Sequence, residues 1–178
     1  MGFCLFNHIA IAACYAQQAY AIERVAIVDF DVHHGNGTQD IVRGKPGLFY
    51  ISTHQSPFYP GTGYESENIP NNILNLPLRA GTTHEDYLDR FSAVIIPALE
   101  AFKPQLLLVS AGFDAHRADP LAALELTEET YRWLGEQLAG IAKAHSQSRI
   151  LSTLEGGYNI QVLAECVQSY LKGIESTL

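Results

Sequence analysis

The sequence predicts an α/β domain built on a mostly parallel sheet flanked by helices, and three observations carry that prediction. Four short apolar runs, at residues 24–31, 47–53, 105–112 and 149–156, are continuous rather than alternating. Strands of that kind are covered on both faces, as in a parallel sheet. Helical patterns separate the runs, the order that parallel crossovers require. With 178 residues, 47% of them hydrophobic, the chain has enough apolar surface for one sizeable core.

The elements follow in order. Residues 7–20 are alanine-rich with an apolar stripe and read as a helix ahead of the first strand. The strand RVAIVDFD comes next, then GLFYIST. Residues 54–81 carry Pro57, Pro60, Gly61, Gly63, Pro70 and Pro77 and are expected to form a long ordered loop. A helix is predicted over 83–102, where Thr83 followed by Asp86 resembles a capping box. QLLLVSAG is the third run; the helix 127–145 opens on a threonine and two glutamates that offset its dipole. RILSTLEG and an amphipathic helix at 160–174 complete the pattern. The first strand is expected to be internal to the sheet, with nothing earlier to pair beside it.

Composition excludes several classes. The net charge of -8 and the scattered basic residues give no footprint for a phosphate backbone, so no direct nucleic-acid partner is expected. No apolar run reaches the roughly 18 residues of a membrane span. Cys4, Cys14 and Cys166 are odd in number and form no CxxC pair, which fits reduced thiols and a cytoplasmic location. There is no GxSxG, Walker or HExxH motif.

The chemistry gathers where the strands end. Asp29, Asp31 and His33 occupy alternate positions after the first apolar run, and side chains two apart on a strand share a face. Asp31 and His33 can therefore reach one cation. FDAHRADP after the third run offers Asp114, His116 and Asp119 as further ligands, and spacing leaves the choice open. Gly156 and Gly157 make a tight turn that presents Tyr158 at the same edge. Two carboxylates, one imidazole and an open coordination position describe a catalytic zinc site, and the implied chemistry is hydrolysis. Set against this, DxDxH can be a capped turn without metal, GGYN is a common turn, and Phe58 and Tyr59 can pack a loop as readily as line a channel.

GFCLFNHIAIAA, VDFDVHHGNGTQDI, ISTHQSPFYPGTG, SAGFDAHRADPLA and EGGYN, in this order, resemble the zinc-dependent histone deacetylase family, most closely its class II-like and bacterial amidohydrolase members. The resemblance runs over essentially the whole chain. It implies the arginase/deacetylase-like three-layer sandwich, and removal of acetyl or similar acyl groups from lysine side chains or polyamines by metal-activated water. It implies Asp31, His33 and Asp119 as zinc ligands and Tyr158 as the catalytic tyrosine. Phe3, Tyr59 and Leu126 match positions lining the substrate tunnel. A potassium ion is implied beside Asp29, Asp31 and His33 with Ser52 and Thr53, while Asp29 and Asn36 support the catalytic histidines from behind.

The family's tandem histidine pair lies upstream of GFC and has no match here. The resemblance thus implies that residues 1–178 are the C-terminal part of a single deacetylase domain, N-terminally incomplete. Loss of a general base lowers turnover by about 10² to 10⁴. Two other readings stand beside the truncated enzyme: a catalytically dead metal-binding module recognising acyl-lysine or a partner protein, and an arginase-like manganese hydrolase. Substrate identity and oligomeric state are left open.

Overall fold

The computed structural model describes residues 3–178. Five strands form one sheet in the order β3-β2-β1-β4-β5, every pairing parallel. β1 (Val25–Asp29) lies at its centre, between β2 (Leu48–Gln55) and β4 (Leu106–Ala111). β1 and β2 are buried along their whole length, as their continuous apolar runs predict. β3 (Ile73–Leu78) and β5 (Ile150–Leu154) are the edges.

Two helical layers cover the sheet. On one face α1 (His8–Tyr20) packs Ile9, Ala13 and Ala16 against Val25, Ile27 and Leu108, with α2 (Asn36–Val42) beside it. On the other face α3 (His84–Arg90), α4 (Ile96–Phe102), α5 (Glu128–His145) and α6 (Ile160–Thr177) enclose the larger core. Phe30, Phe113, Tyr131 and Tyr170 meet there, with ring centroids 4.9–6.1 Å apart. Among the described residues no helix is long and apolar enough to cross a membrane.

Three expectations are corrected. The stretch 54–81 is not loop throughout, because Ile73–Leu78 pairs with β2; Pro77, which donates no hydrogen bond, is tolerated on this edge strand. Asn36–Val42 forms a helix that the sequence did not suggest. The helix predicted over 83–102 is interrupted by a π-turn at Phe91–Ile95 just ahead of Pro97, whose missing N–H and ring break the regular ladder.

The cap at Thr83 forms as expected, with Asp86 N donating to Thr83 Oγ1. At Thr127 the roles are exchanged: its N–H donates to Thr130 Oγ1 at 3.1 Å, while its own hydroxyl is buried without a partner among the described residues. The three cysteines are unpaired.

Candidate metal centre

The strand β1 stops at Asp29, so Asp31 and His33 lie in the bend beyond it rather than on the strand. Side-chain to backbone bonds nevertheless keep the alternation. Asp31 N donates to Asp29 Oδ1 at 3.1 Å and His33 N donates to Asp31 Oδ1 at 2.8 Å, a pair of Asx turns that orient successive acids.

From β4 and the turn after it, Asp114 enters from the neighbouring position. Its Oδ1 accepts from Val32 N at 2.8 Å, and its Oδ2 lies 3.1 Å from His33 Nδ1. The same Nδ1 lies 3.0 Å from Asp31 Oδ1. Asp31, His33 and Asp114 each place one ligand atom within 4.8 Å of the others, the one such group among the described residues. β5 and the turn after it close the site: Gly156 N donates to Asp31 Oδ2 at 2.8 Å. A Cβ at Gly112 or Gly156 would collide with these carboxylates, so both positions require glycine for close approach.

Electrostatics mark the group as charge-poor in cations. Burial works to lower the His33 pKa, but hydrogen bonds to Asp114 and Asp31, with their charges, outweigh it and raise it to about 10. Burial and the charge of Asp31 push Asp114 up to about 6. Asp29, fully buried, is held well above the ordinary carboxylate range by burial and then by Asp31, even though Tyr50 donates to it at 2.8 Å. Asp31 and Asp114 thus share one imidazole nitrogen, with Asp29 behind them. A divalent cation displaces a proton held there and satisfies the same oxygens, so the donor set fits a metal.

Asp119 is not within that group. Its Oδ1 accepts from Leu121 N at 3.0 Å and its Oδ2 from Tyr158 N at 2.8 Å, which ties the 119–121 turn to the turn after β5. Tyr158 therefore stands beside Asp119, and its ring centroid is 6.5 Å from that of His33. Burial and then the charges of Asp114, Asp31 and Asp119 raise its pKa to about 12, which keeps the hydroxyl a donor at neutral pH.

The aromatic neighbours are placed unequally. Phe3 meets Tyr158 edge-on at 6.2 Å, and Tyr59 meets His33 edge-on at the same distance. Phe58, which the sequence left between loop packing and channel wall, stacks on His33 at 5.2 Å and 27°. Leu126 is fully buried in the core, its backbone bridged to His116, and presents no exposed wall. Gly2, which opens the GFC motif, lies outside the described residues. Register pairs Asp29 with Ser52 and sets Thr53 one step beyond; both are buried. Asn36 is the first residue of α2.

Sequence reasoning missed Tyr50. It sits within an apolar strand and reads as core, yet its hydroxyl donates to Asp29 and accepts from Gly35 N at 3.0 Å. His34 and His54, 4.8 Å apart between ring centroids, are likewise committed, to Thr62 and Gln39 and to Ser52 and Gly63 respectively.

The parallel α/β sheet thus carries a possible Asp-His-Asp metal-binding group outside the carboxyl ends of its strands, where such sheets gather their ligands. The histone deacetylase domain model matches residues 1–174, and the chain belongs to that family. It is 43% identical over 178 residues to histone deacetylase 14, chloroplastic, of Arabidopsis thaliana, covering 98% of this chain and 42% of that protein. It is 37% identical over 186 residues to the histone deacetylase-like amidohydrolase of Pseudomonas aeruginosa, covering 100% and 49%. The crystal structure of the HDA15 HD domain superposes with a TM-score of 0.90 at 37% identity, covering 99% of this chain and 51% of that one. The chain thus spans about half the length, or less, of these relatives.

Proposed function

We propose that the chain carries the zinc-holding and oxyanion-stabilising part of a deacetylase centre that removes acetyl groups from acetyl-lysine or acetylpolyamine. The observation that carries this reading is His33 Nδ1 set 3.0 and 3.1 Å from the carboxylates of Asp31 and Asp114, with Tyr158 at the rim. Asp31, His33 and Asp114 would hold the ion, whereas Asp119, the ligand the family resemblance implied, accepts instead from Leu121 N and Tyr158 N. Val32 N, donating to Asp114 Oδ1, fixes that fully buried carboxylate beside His33. A bound zinc ion would supply an acidified water and polarise the amide carbonyl.

The chain's own residues do the rest. Tyr158 keeps its proton and donates it as a hydrogen bond to the oxygen on which charge develops. Phe58, stacked on His33, and Tyr59 and Phe3, set edge-on to His33 and Tyr158, give an aromatic approach that would accept an unbranched acyl-lysine stem. Main-chain oxygens of Asp29, Asp31 and His33, with Ser52 and Thr53, are proposed to hold potassium, supported by the register that sets β1 beside β2. The three unpaired thiols support a reducing compartment such as the cytoplasm; two similar proteins are named chloroplastic.

A second reading is a module that binds acyl-lysine without cleaving it. His34 and His54 favour it, since their ring nitrogens are taken by neighbours and neither is free to act as a base. Deacetylation of an acetyl-lysine peptide and of acetylspermidine, measured for this chain and for a version extended upstream, separates the two. Activity restored by extension supports the enzyme, and acyl-peptide binding without turnover in either supports the module.

A further inference from the structure

The bend that carries Asp31 and His33 is held in two ways. Its even-numbered residues keep the backbone bonding of the sheet: Phe30 N donates to Ser110 O at 3.2 Å, and Val32 O accepts from Gln55 N at 2.9 Å. Its odd-numbered amides turn to side chains instead. Asp31 N reaches Asp29 Oδ1, His33 N reaches Asp31 Oδ1, and Gly35 N reaches the Tyr50 hydroxyl at 3.0 Å.

The last of these bonds closes a circuit. Gly35 N can only donate, so the Tyr50 oxygen accepts there and its own hydrogen goes to Asp29 Oδ2 at 2.8 Å. One phenol of β2 thus joins the residue on which β1 ends to the residue that caps α2, and Asp31 and His33 lie between those two points.

Packing alone does not call for that hydroxyl. The Tyr50 ring lies in the smaller core with Ile9, Ile27 and Ile73, surroundings that phenylalanine would fill equally well. Tyr50 is 0% exposed, and a hydroxyl in such a place costs free energy unless it is bonded. Gly35 is fitted to the same contact, since a Cβ there would run into Asp29 Oδ2 and the Tyr50 hydroxyl.

We infer, on the metal reading of the Asp31-His33-Asp114 group, that Tyr50 is a positioning residue: its hydroxyl clamps both ends of the 29–35 bend and so presets Asp31 and His33 to share one divalent cation. It acts through Asp29 and Gly35. Ligands fixed before the ion arrives lose less freedom on binding it, and groups that orient ligands from behind typically govern metal affinity by about 10- to 100-fold.

The test titrates the full chain with Co2+ alone and reads both the affinity and the visible d–d absorption, which reports how the ligands are arranged. Tyr50→Phe is expected to weaken cobalt binding by about tenfold or more and to change the position or intensity of the band. Tyr170→Phe controls for mere loss of stability, because it removes a buried hydroxyl bonded to Ser152 at 2.8 Å in the other core; affinity and spectrum should stay at parent values. Cobalt bound by Tyr50→Phe with the parent's affinity and band overturns the inference and leaves the metal reading intact. An equal loss in Tyr170→Phe also overturns it, since general destabilisation would then explain both. A parent protein that binds no cobalt removes the inference together with the metal reading. Should Tyr50→Phe fail to fold, hydrogen exchange of the parent protein with Zn2+ added decides: the Gly35 amide should be protected about tenfold or more together with those of Asp31 and His33, and a Gly35 amide indifferent to zinc overturns the inference.

Discussion

Gly156 N donates to Asp31 Oδ2 at 2.8 Å, joining the turn after the edge strand to the bend after the central one, 125 residues earlier in the chain. The bond needs the two backbones in contact, and a side chain at 156 would run into both Asp31 and Asp114. Gly156→Ala is therefore expected to cost about 1–3 kcal/mol of stability through overpacking, and to weaken divalent-metal binding at least tenfold. Urea unfolding and zinc titration of the purified variant check both outcomes.

Tyr50 is expected to matter beyond its packing. Tyr50→Phe keeps the ring but removes the donor to Asp29 and the acceptor for Gly35 N. Both groups lie in or beside the buried region, so the loss should be about 1–3 kcal/mol. A variant as stable as the parent protein would show that water replaces the hydroxyl.

Glu67 anchors the segment ahead of β3. Its Oε1 accepts from Gly63 N and Tyr64 N, both at 3.0 Å, and its Oε2 accepts from Gln39 Nε2 at 2.6 Å. Burial alone would raise its pKa, but the backbone bonds and Gln39 outweigh that and lower it. Because the folded pKa lies below the unfolded one, the carboxylate stabilises the protein fully above the unfolded value of 4.5 and ceases to do so as pH falls through the folded value. Glu67→Gln should cost about 1 kcal/mol at neutral pH and flatten the acid limb of the stability profile below about pH 4.5. Chemical denaturation from pH 3 to 7 reads this directly.

Tyr158→Phe separates binding from turnover. In the upstream-extended protein, kcat should fall by about 10² to 10³ while metal content stays unchanged, since the hydroxyl stabilises developing charge and is not a ligand. A change in KM alone would assign the tyrosine to substrate binding instead.

The fold was legible in the sequence wherever burial is uniform. β1, β2 and β4 have continuous apolar runs because helices cover both their faces, and that pattern needs no partner information. β3 was hidden because ILNLPL mixes asparagine and proline into a strand that is an edge, where those residues are tolerated. α2 was hidden because it is seven residues long and contains Gly37, leaving no helical periodicity to read. At the site, spacing placed Asp31 and His33 together correctly but for an incomplete reason. The alternation survives past the strand through Asx turns, not through pleating. Spacing could not choose between Asp114 and Asp119, since both follow the same strand and only the packing of the turns decides which oxygens remain for an ion.

One divalent ion held by Asp31 and His33 is the claim on which the rest depends, and zinc binding by equilibrium dialysis with elemental analysis tests it most directly. The account predicts one zinc per chain, lost in Asp31→Asn and in His33→Ala, weakened at least tenfold in Asp114→Asn, and largely retained in Asp119→Asn. No stoichiometric zinc in the folded parent protein, or an affinity indifferent to residues 31 and 33, would contradict it.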